Sequence, residues 1–261
     1  MKKDTIRICY ARVLLLTLIL NVGALAQTAS DTVLQQQYSD AVNDARTATA
    51  DEIVTNLIPI VRCNSNLQWE DAADGASRVL VATWVNEKLA NAVYDNKEGQ
   101  AINIPVDAYP FVTIVPQVKN FCAASSMAKS NLTLRLEQLL GLPPNNGKTK
   151  FVQLWVNPND LFRPCPDPEV TDTRCELEFP TGFLTVSANY ANWFVRLYSQ
   201  SYGANGYPWT RLGYTYDWGV TPRPHTGMSE FVIKPGSSVK ICSVTTTEDY
   251  CATTQNQKCK L

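Results

Sequence analysis

Apolar positions recur along this chain with two different periods. Residues 31–62 carry them at helical spacing. Thr49-Ala-Asp-Glu52 reads as a capping box, and Ile53, Val54, Leu57 and Ile58 then share one helical face until Pro59 limits the run. Arg78 to Val85 (RVLVATWV) is instead β-branched, aromatic and almost continuously apolar, the texture of a strand buried on both faces. Phe111 to Val115 (FVTIV) and Phe151 to Val156 (FVQLWV) share it. Between them, Ser130 to Gly141 places Leu132, Leu136, Leu139 and Leu140 on one helical stripe. Gly141 stands where a left-handed cap belongs, and Pro143-Pro144 stop continuation. Packing accounts fully for this half of the chain.

From Asn157 the pattern changes. A proline-rich loop follows, in which Asp167, Glu169 and Asp172 could suit calcium, but their spacing is not that of an EF-hand. A solvated acidic loop is the expectation, and no metal site. Asn189 to Tyr202 is a helix by the spacing of Trp193, Phe194, Leu197 and Tyr198. Met228 to Lys234 and Ser238 to Val244 flank a Pro-Gly turn and read as a β-hairpin. These elements predict an α+β class: a single disulfide-stapled domain with a mixed or antiparallel sheet covered by helices, and β-hairpins toward the C-terminus.

The first residues alter where that domain should work. A basic start (Lys2, Lys3, Arg7), an apolar run from Val13 to Val22 and Ala24-Leu25-Ala26 have the layout of a secretory signal peptide, cut between Ala26 and Gln27. A retained anchor is the alternative, but the run is too short to cross a bilayer comfortably. The expected organisation is a signal peptide over 1–26 and one secreted globular domain over 27–261. Its helix/strand half is 27–156, and its aromatic-rich, strand-dominated half is 157–261. The product is expected to be secreted or periplasmic, soluble, and not an integral membrane protein after cleavage.

Removing 1–26 takes away four basic residues (Lys2, Lys3, Arg7, Arg12) and one acid (Asp4), which turns the net charge of -1 into -4. That balance argues against nucleic acid, whose binding rests on a basic face. Seven cysteines remain. In an oxidising compartment they read as disulfides, with Cys165–Cys175, Cys242–Cys251 and Cys63–Cys122 as the attractive pairs. Cys259 is then odd, although it competes with Cys251 for Cys242. Zinc is disfavoured, because there is no Cys-x-x-Cys pair and only one histidine.

Candidate chemistry concentrates in Tyr207 to Gly219, YPWTRLGYTYDWG, which holds five aromatics, an arginine and an aspartate. Read as a strand over 209–218, it places Leu212, Tyr214, Tyr216 and Trp218 on one face, and Arg211, Gly213, Thr215 and Asp217 on the other. An antiparallel return over 227–234 would set Trp218 opposite Gly227 and Thr215 opposite Glu230, with Asp217 and Glu230 diagonal neighbours. Arg211, Asp217, His225 and Glu230 are therefore the candidate catalytic residues. Two carboxylates can divide acid and base roles, as in glycoside hydrolysis, and an arginine can fix a ligand carboxylate or phosphate. Trp209, Tyr214, Thr215, Tyr216 and Trp218 are the candidate binding residues. Structural ion pairs and packed aromatics would produce the same pattern. A Ser229-His225-Asp217 nucleophile lacks a Gly-x-Ser-x-Gly elbow, and alternation turns Ser229 away. Neither a P-loop nor a dinucleotide fingerprint occurs, so no cofactor is expected.

Arg211 on one strand, with Ser229 and Glu230 on the next, resembles the arrangement in ADP-ribosyl-transferring and NAD-cleaving toxins. The resemblance covers those three residues alone and implies a nicotinamide pocket fed by separate strands. Two function classes follow. One is an extracytoplasmic binding or interaction module whose aromatic-rich C-terminal surface meets an unknown ligand, such as a carbohydrate, a peptide or an envelope protein. The other is a secreted hydrolase or toxin-like enzyme. A purely structural envelope protein is the third reading.

Overall fold

Among the described residues the apolar runs assemble into nine strands, every neighbouring pair antiparallel. In this computed structural model the described residues are 30–71, 75, 77–124, 131–181, 186–203, 205–220 and 223–252. The expected signal peptide and Cys259 lie outside them. The strands are β1 (Trp69–Asp71), β2 (Ser77–Asn86), β3 (Ala101–Asn103), β4 (Phe111–Ile114), β5 (Lys148–Val156), β6 (Leu161–Phe162), β7 (Tyr214–Tyr216), β8 (Thr226–Ile233) and β9 (Ser238–Thr246). The order runs β3-β9-β5-β2-β4-β8-β6, with β1 beside β2 and β7 beside β8. The helices are α1 (30–44), α2 (Glu87–Leu89, continued by a π turn at Ala90–Tyr94), α3 (Gln117–Ala124), α4 (Leu132–Leu139), α5 (Ala188–Ser201) and α6 (Thr247–Ala252). The fold is α+β, as the patterning predicts.

Alternation sorts the central strands onto two cores. Val79 and Val81 of β2, Val112 and Ile114 of β4, Leu154 of β5, Phe231 of β8 and Ile241 of β9 form the inner one. Leu80, Ala82 and Trp84 of β2 point the other way, to Phe151 and to Leu136 and Leu139 of α4. Further along that outer face, Phe162 and Val232 pack with Trp193 and Phe194 of α5 and with Tyr38 and Val42 of α1. Burial on both faces explains why β2 and β5 read as continuous apolar runs.

The expected hairpin around Pro235-Gly236 does not form. β8 pairs with β4, β6 and β7, whereas β9 pairs with β5 and β3. Laid flat, β8 and β9 would stand four inter-strand spacings apart, about 19 Å. The five residue-to-residue steps from Ile233 to Ser238 reach at most about 18 Å. The connection therefore requires the sheet to curl around the inner core, although its strand order does not close into a barrel. Gly236 N donates to Ile104 O (3.0 Å) and Ile104 N to Ser237 O (2.9 Å), which seats the link. Turn residues mark where a chain bends; they do not say which edge the next strand joins.

Three further expectations change. Helix α1 ends at 44, and the capping box opens only a single 3₁₀ turn, Ala50–Glu52. Residues beyond it run extended, because their backbone groups find partners elsewhere: Leu57 N on Thr173 O, Ile58 N on Ser229 Oγ and Ile60 N on Val170 O. The acidic loop is not merely solvated. It wraps the fully buried Arg163, which donates to Glu169 O and Asp172 O and lies over the Phe231 ring. Cys165–Cys175 forms as expected, but Cys122 joins Cys251, 129 residues away, so neither Cys63–Cys122 nor Cys242–Cys251 exists. Cys63 is free and exposed, and Cys242 is bonded to a partner outside the described residues. Loop length favours near pairs, whereas the sheet brings α3 and α6 together on one face.

Candidate functional site

Only three residues of the expected 209–218 strand are a strand. Trp209 bridges Thr215 across a tight turn in which Arg211 and Gly213 take left-handed φ angles of 60° and 75°. Gly213 is required twice over there. Its φ suits glycine, and a Cβ would meet Cys175 Sγ at 2.6 Å and Arg163 Cδ at 2.7 Å. β7 does return against β8, but Tyr214 faces Ser229 and Tyr216 faces Thr226, two and three residues from the expected register. The turn takes up the residues that a continuous strand would have spent.

That displacement keeps the side chains of the four candidate catalytic residues from meeting, although Asp217 N–H donates to His225 O (2.8 Å). Asp217 is held by Arg135 of α4 through two hydrogen bonds, Nη1–Oδ1 at 2.7 Å and Nη2–Oδ2 at 2.5 Å. Arg211 donates to Arg46 O (2.9 Å) and lies over the rings of Tyr198 and Tyr202. His225 stacks on Tyr216 with centroids 4.7 Å apart. Glu230 stands opposite Thr113 of β4, and its N–H donates to Gly213 O (2.9 Å). Among the described residues, no side-chain hydrogen bond or ion pair joins any two of Arg211, Asp217, His225 and Glu230. Ser229 is buried and accepts from Ile58 N (2.9 Å), so the three residues of the toxin resemblance do not share a pocket either.

The candidate binding residues are buried as well. Trp209, Tyr214, Thr215, Tyr216 and Trp218 each keep at most 7% of their surface exposed. Their polar tips are spent internally. Trp209 Nε1 donates to Pro164 O, Tyr214 Oη to Glu52 O, Tyr216 Oη to Asp44 Oδ2, Trp218 Nε1 to Leu142 O, and Thr215 Oγ1 to Leu139 O. They do not form the exposed aromatic surface that was expected.

What they do form is a wall. Trp209, Tyr214, Thr215 and Tyr216, together with Glu230, line a cavity of about 600 Å³. It opens where two strands diverge. β2 pairs with β4 at only two positions, Val81↔Ile114 and Ala82↔Thr113. The residues that would extend the ladder, Thr83 to Val85 and Pro110 to Val112, line the cavity instead. Aromatic and aliphatic groups dominate: Trp84, Tyr109, Phe111 and Phe151, with the exposed Leu89 and Tyr207 at the mouth.

Among the described residues Glu230 is the only carboxyl in this lining, and Lys148 the only ammonium. Lys148 Nζ is taken by Trp84 O at 2.9 Å, and burial lowers its pKa. No partner reaches the Glu230 carboxyl among the described residues. The surface it retains faces the cavity, and desolvation raises its pKa from 4.5 to about 8. Burial in this lining therefore favours the neutral carboxyl over the bare carboxylate.

No protein-family model, curated protein or solved structure matches the chain. The sequence singled out Glu230, Thr215 and three of the aromatic walls, Trp209, Tyr214 and Tyr216, but not Trp84, Phe111, Thr113, Phe151 and Lys148. The first four sit in runs that packing explains, Lys148 stands just before one, and only the packed sheet brings them to a common space. Arg135 did carry a signal, as a charge between two leucines of an apolar helix stripe.

Proposed function

We propose that the protein is an extracytoplasmic binding module that takes a small, mainly apolar ligand into the cavity between β2, β4 and the 207–216 segment. The observation that carries this reading is the pairing of an aromatic-walled space with a carboxyl that, among the described residues, is the only one in the lining and has no partner. Its volume is within the range of small-molecule sites, about 300–1,000 Å³. The disulfides support an oxidising compartment, and no helix among the described residues is long and apolar enough to cross a membrane.

An enzymatic reading is less well supported. Division of acid and base roles needs a second polar group beside Glu230, and Asp217, Arg211 and His225 are engaged elsewhere. A broad aromatic surface for carbohydrate, peptide or an envelope protein is disfavoured by the burial of the candidate aromatics.

The test is titration with the neutral apolar dye N-phenyl-1-naphthylamine, read by dye fluorescence and by quenching of tryptophan. Saturable one-to-one binding is expected, weakened by Ala108→Phe, which projects a ring into the lining. Dye binding that Ala108→Phe leaves untouched would overturn the reading.

A further inference from the structure

Resting on that cavity, we infer that the ligand is a hydrophobic amine, its ammonium seated against Glu230 and its apolar body among the aromatic walls. The argument is one of charge complementarity. Among the described residues Glu230 is the only acid lining the space, and the sole lining cation, Lys148, is directed to the Trp84 carbonyl. An anionic ligand would hold Glu230 in its neutral form and find no free cation in the lining among the described residues, since Lys148 is committed to Trp84 O. A neutral ligand would leave the carboxyl's capacity for charge unused. A cation supplies what the cavity lacks, and Tyr109, Phe111, Trp209 and Tyr216 offer rings of the kind on which ammonium groups are held.

Register explains why this acid is exposed to the space. Glu230 pairs across to Thr113, the last β4 residue before the strand parts from β2, so its side chain stands at the edge of the gap. Thr215, also in the lining, is occupied, giving its proton to Leu139 O and accepting from Met228 N (2.8 Å). The carboxyl is left as the group that can answer a ligand.

The proton balance follows. With its pKa raised to about 8 by burial, Glu230 without an ammonium beside it is mainly the neutral acid at pH 7. An incoming ammonium stabilises the carboxylate, so the carboxyl O–H bond breaks and its proton leaves to solvent. The ammonium keeps its own three protons and pairs with the anion. No bond to the ligand is made.

The experiment compares three probes of one shape, 2-(1-naphthyl)ethylamine, 2-(1-naphthyl)ethanol and 1-naphthylacetate, by isothermal titration calorimetry at pH 7. Two buffers of different ionisation enthalpy are used. The amine should bind about tenfold more tightly than the alcohol, and the carboxylate most weakly. Amine binding should release close to one proton, seen as a buffer-dependent heat. Glu230→Gln should bring the amine-to-alcohol ratio to near one and abolish the proton release, with an unchanged near-ultraviolet dichroism showing that it folds. Equal binding of alcohol and amine by the native protein, with both weakened by Ala108→Phe, would overturn the amine and leave the cavity standing. Binding of none of the probes, or binding indifferent to Ala108→Phe, would overturn both.

Discussion

Asp217 and Arg135 face each other across the junction of β7 and α4, joined by two hydrogen bonds, with the Asp217 side chain only 3% exposed. This pair, rather than Arg211, accounts for the aspartate in the aromatic stretch. Removing one partner of a buried pair leaves an uncompensated charge. Arg135→Met should therefore cost about 3 kcal/mol, lowering the melting temperature by roughly 6–12 °C. Arg211→Met removes one hydrogen bond and ring contacts near the surface, and should cost about 1 kcal/mol. Thermal melts of the two variants decide the matter, and the reverse ranking would refute the assignment.

Glu230 should make stability fall as pH rises. Its folded pKa, about 8, lies above the ordinary 4.5, so between those values the native state holds a proton that the unfolded chain has lost. Stability from this group is complete below about pH 4.5, declines through the window, and levels off above about 8. Glu230→Gln removes that dependence. Urea unfolding at pH 4.5 should show little difference from the native chain, while at pH 9 the variant should be more stable by a few kcal/mol. Parallel curves for the two proteins would show that the carboxyl is not desolvated.

Gly213→Ala should be destabilising out of proportion to one methyl group. The residue must take a left-handed φ, and its Cβ would enter space held by the Cys165–Cys175 disulfide and Arg163. Together these cost roughly 2–4 kcal/mol. Gly236→Ala shares the left-handed φ but has open space around its Cβ, so it should cost only about 1 kcal/mol. The difference between the two, by chemical denaturation, isolates the packing contribution.

A non-reducing digest should yield a peptide pair linking Cys122 to Cys251 and another linking Cys165 to Cys175. Cys63 should be alkylated in the folded, oxidised protein. Replacing Cys122 and Cys251 with serine should cost about 2–5 kcal/mol. A Cys63–Cys122 peptide in the mass spectrum would contradict the placement of α3 beside α6.

Much of the scaffold was legible from local pattern. RVLVATWV and FVQLWV read as strands because both faces are buried, and SNLTLRLEQLLG read as a helix because its leucines recur at helical spacing. The α5 helix was legible in the same way, through Trp193, Phe194 and Leu197. The failures share a cause. At 49–58 a local cap competes with backbone partners from distant loops, and those partners win. At 209–218 two left-handed residues interrupt the alternation, and one turn shifts the register on which every cross-strand neighbour depends.

The sequence by itself determined the α+β class, the burial of the main strands and the Cys165–Cys175 staple, because each depends on residues near one another in the chain. The tertiary structure decided the rest. It sent β8 and β9 to different neighbours, joined Cys122 to Cys251, gave Asp217 to Arg135, and opened a gap between β2 and β4. All the aromatics of 207–219 but the exposed Tyr207 proved to be core residues, and several of them became the walls of a cavity with Glu230 at its edge. A cavity is a property of surfaces that fail to meet. It therefore belongs to the packed chain rather than to any stretch of it.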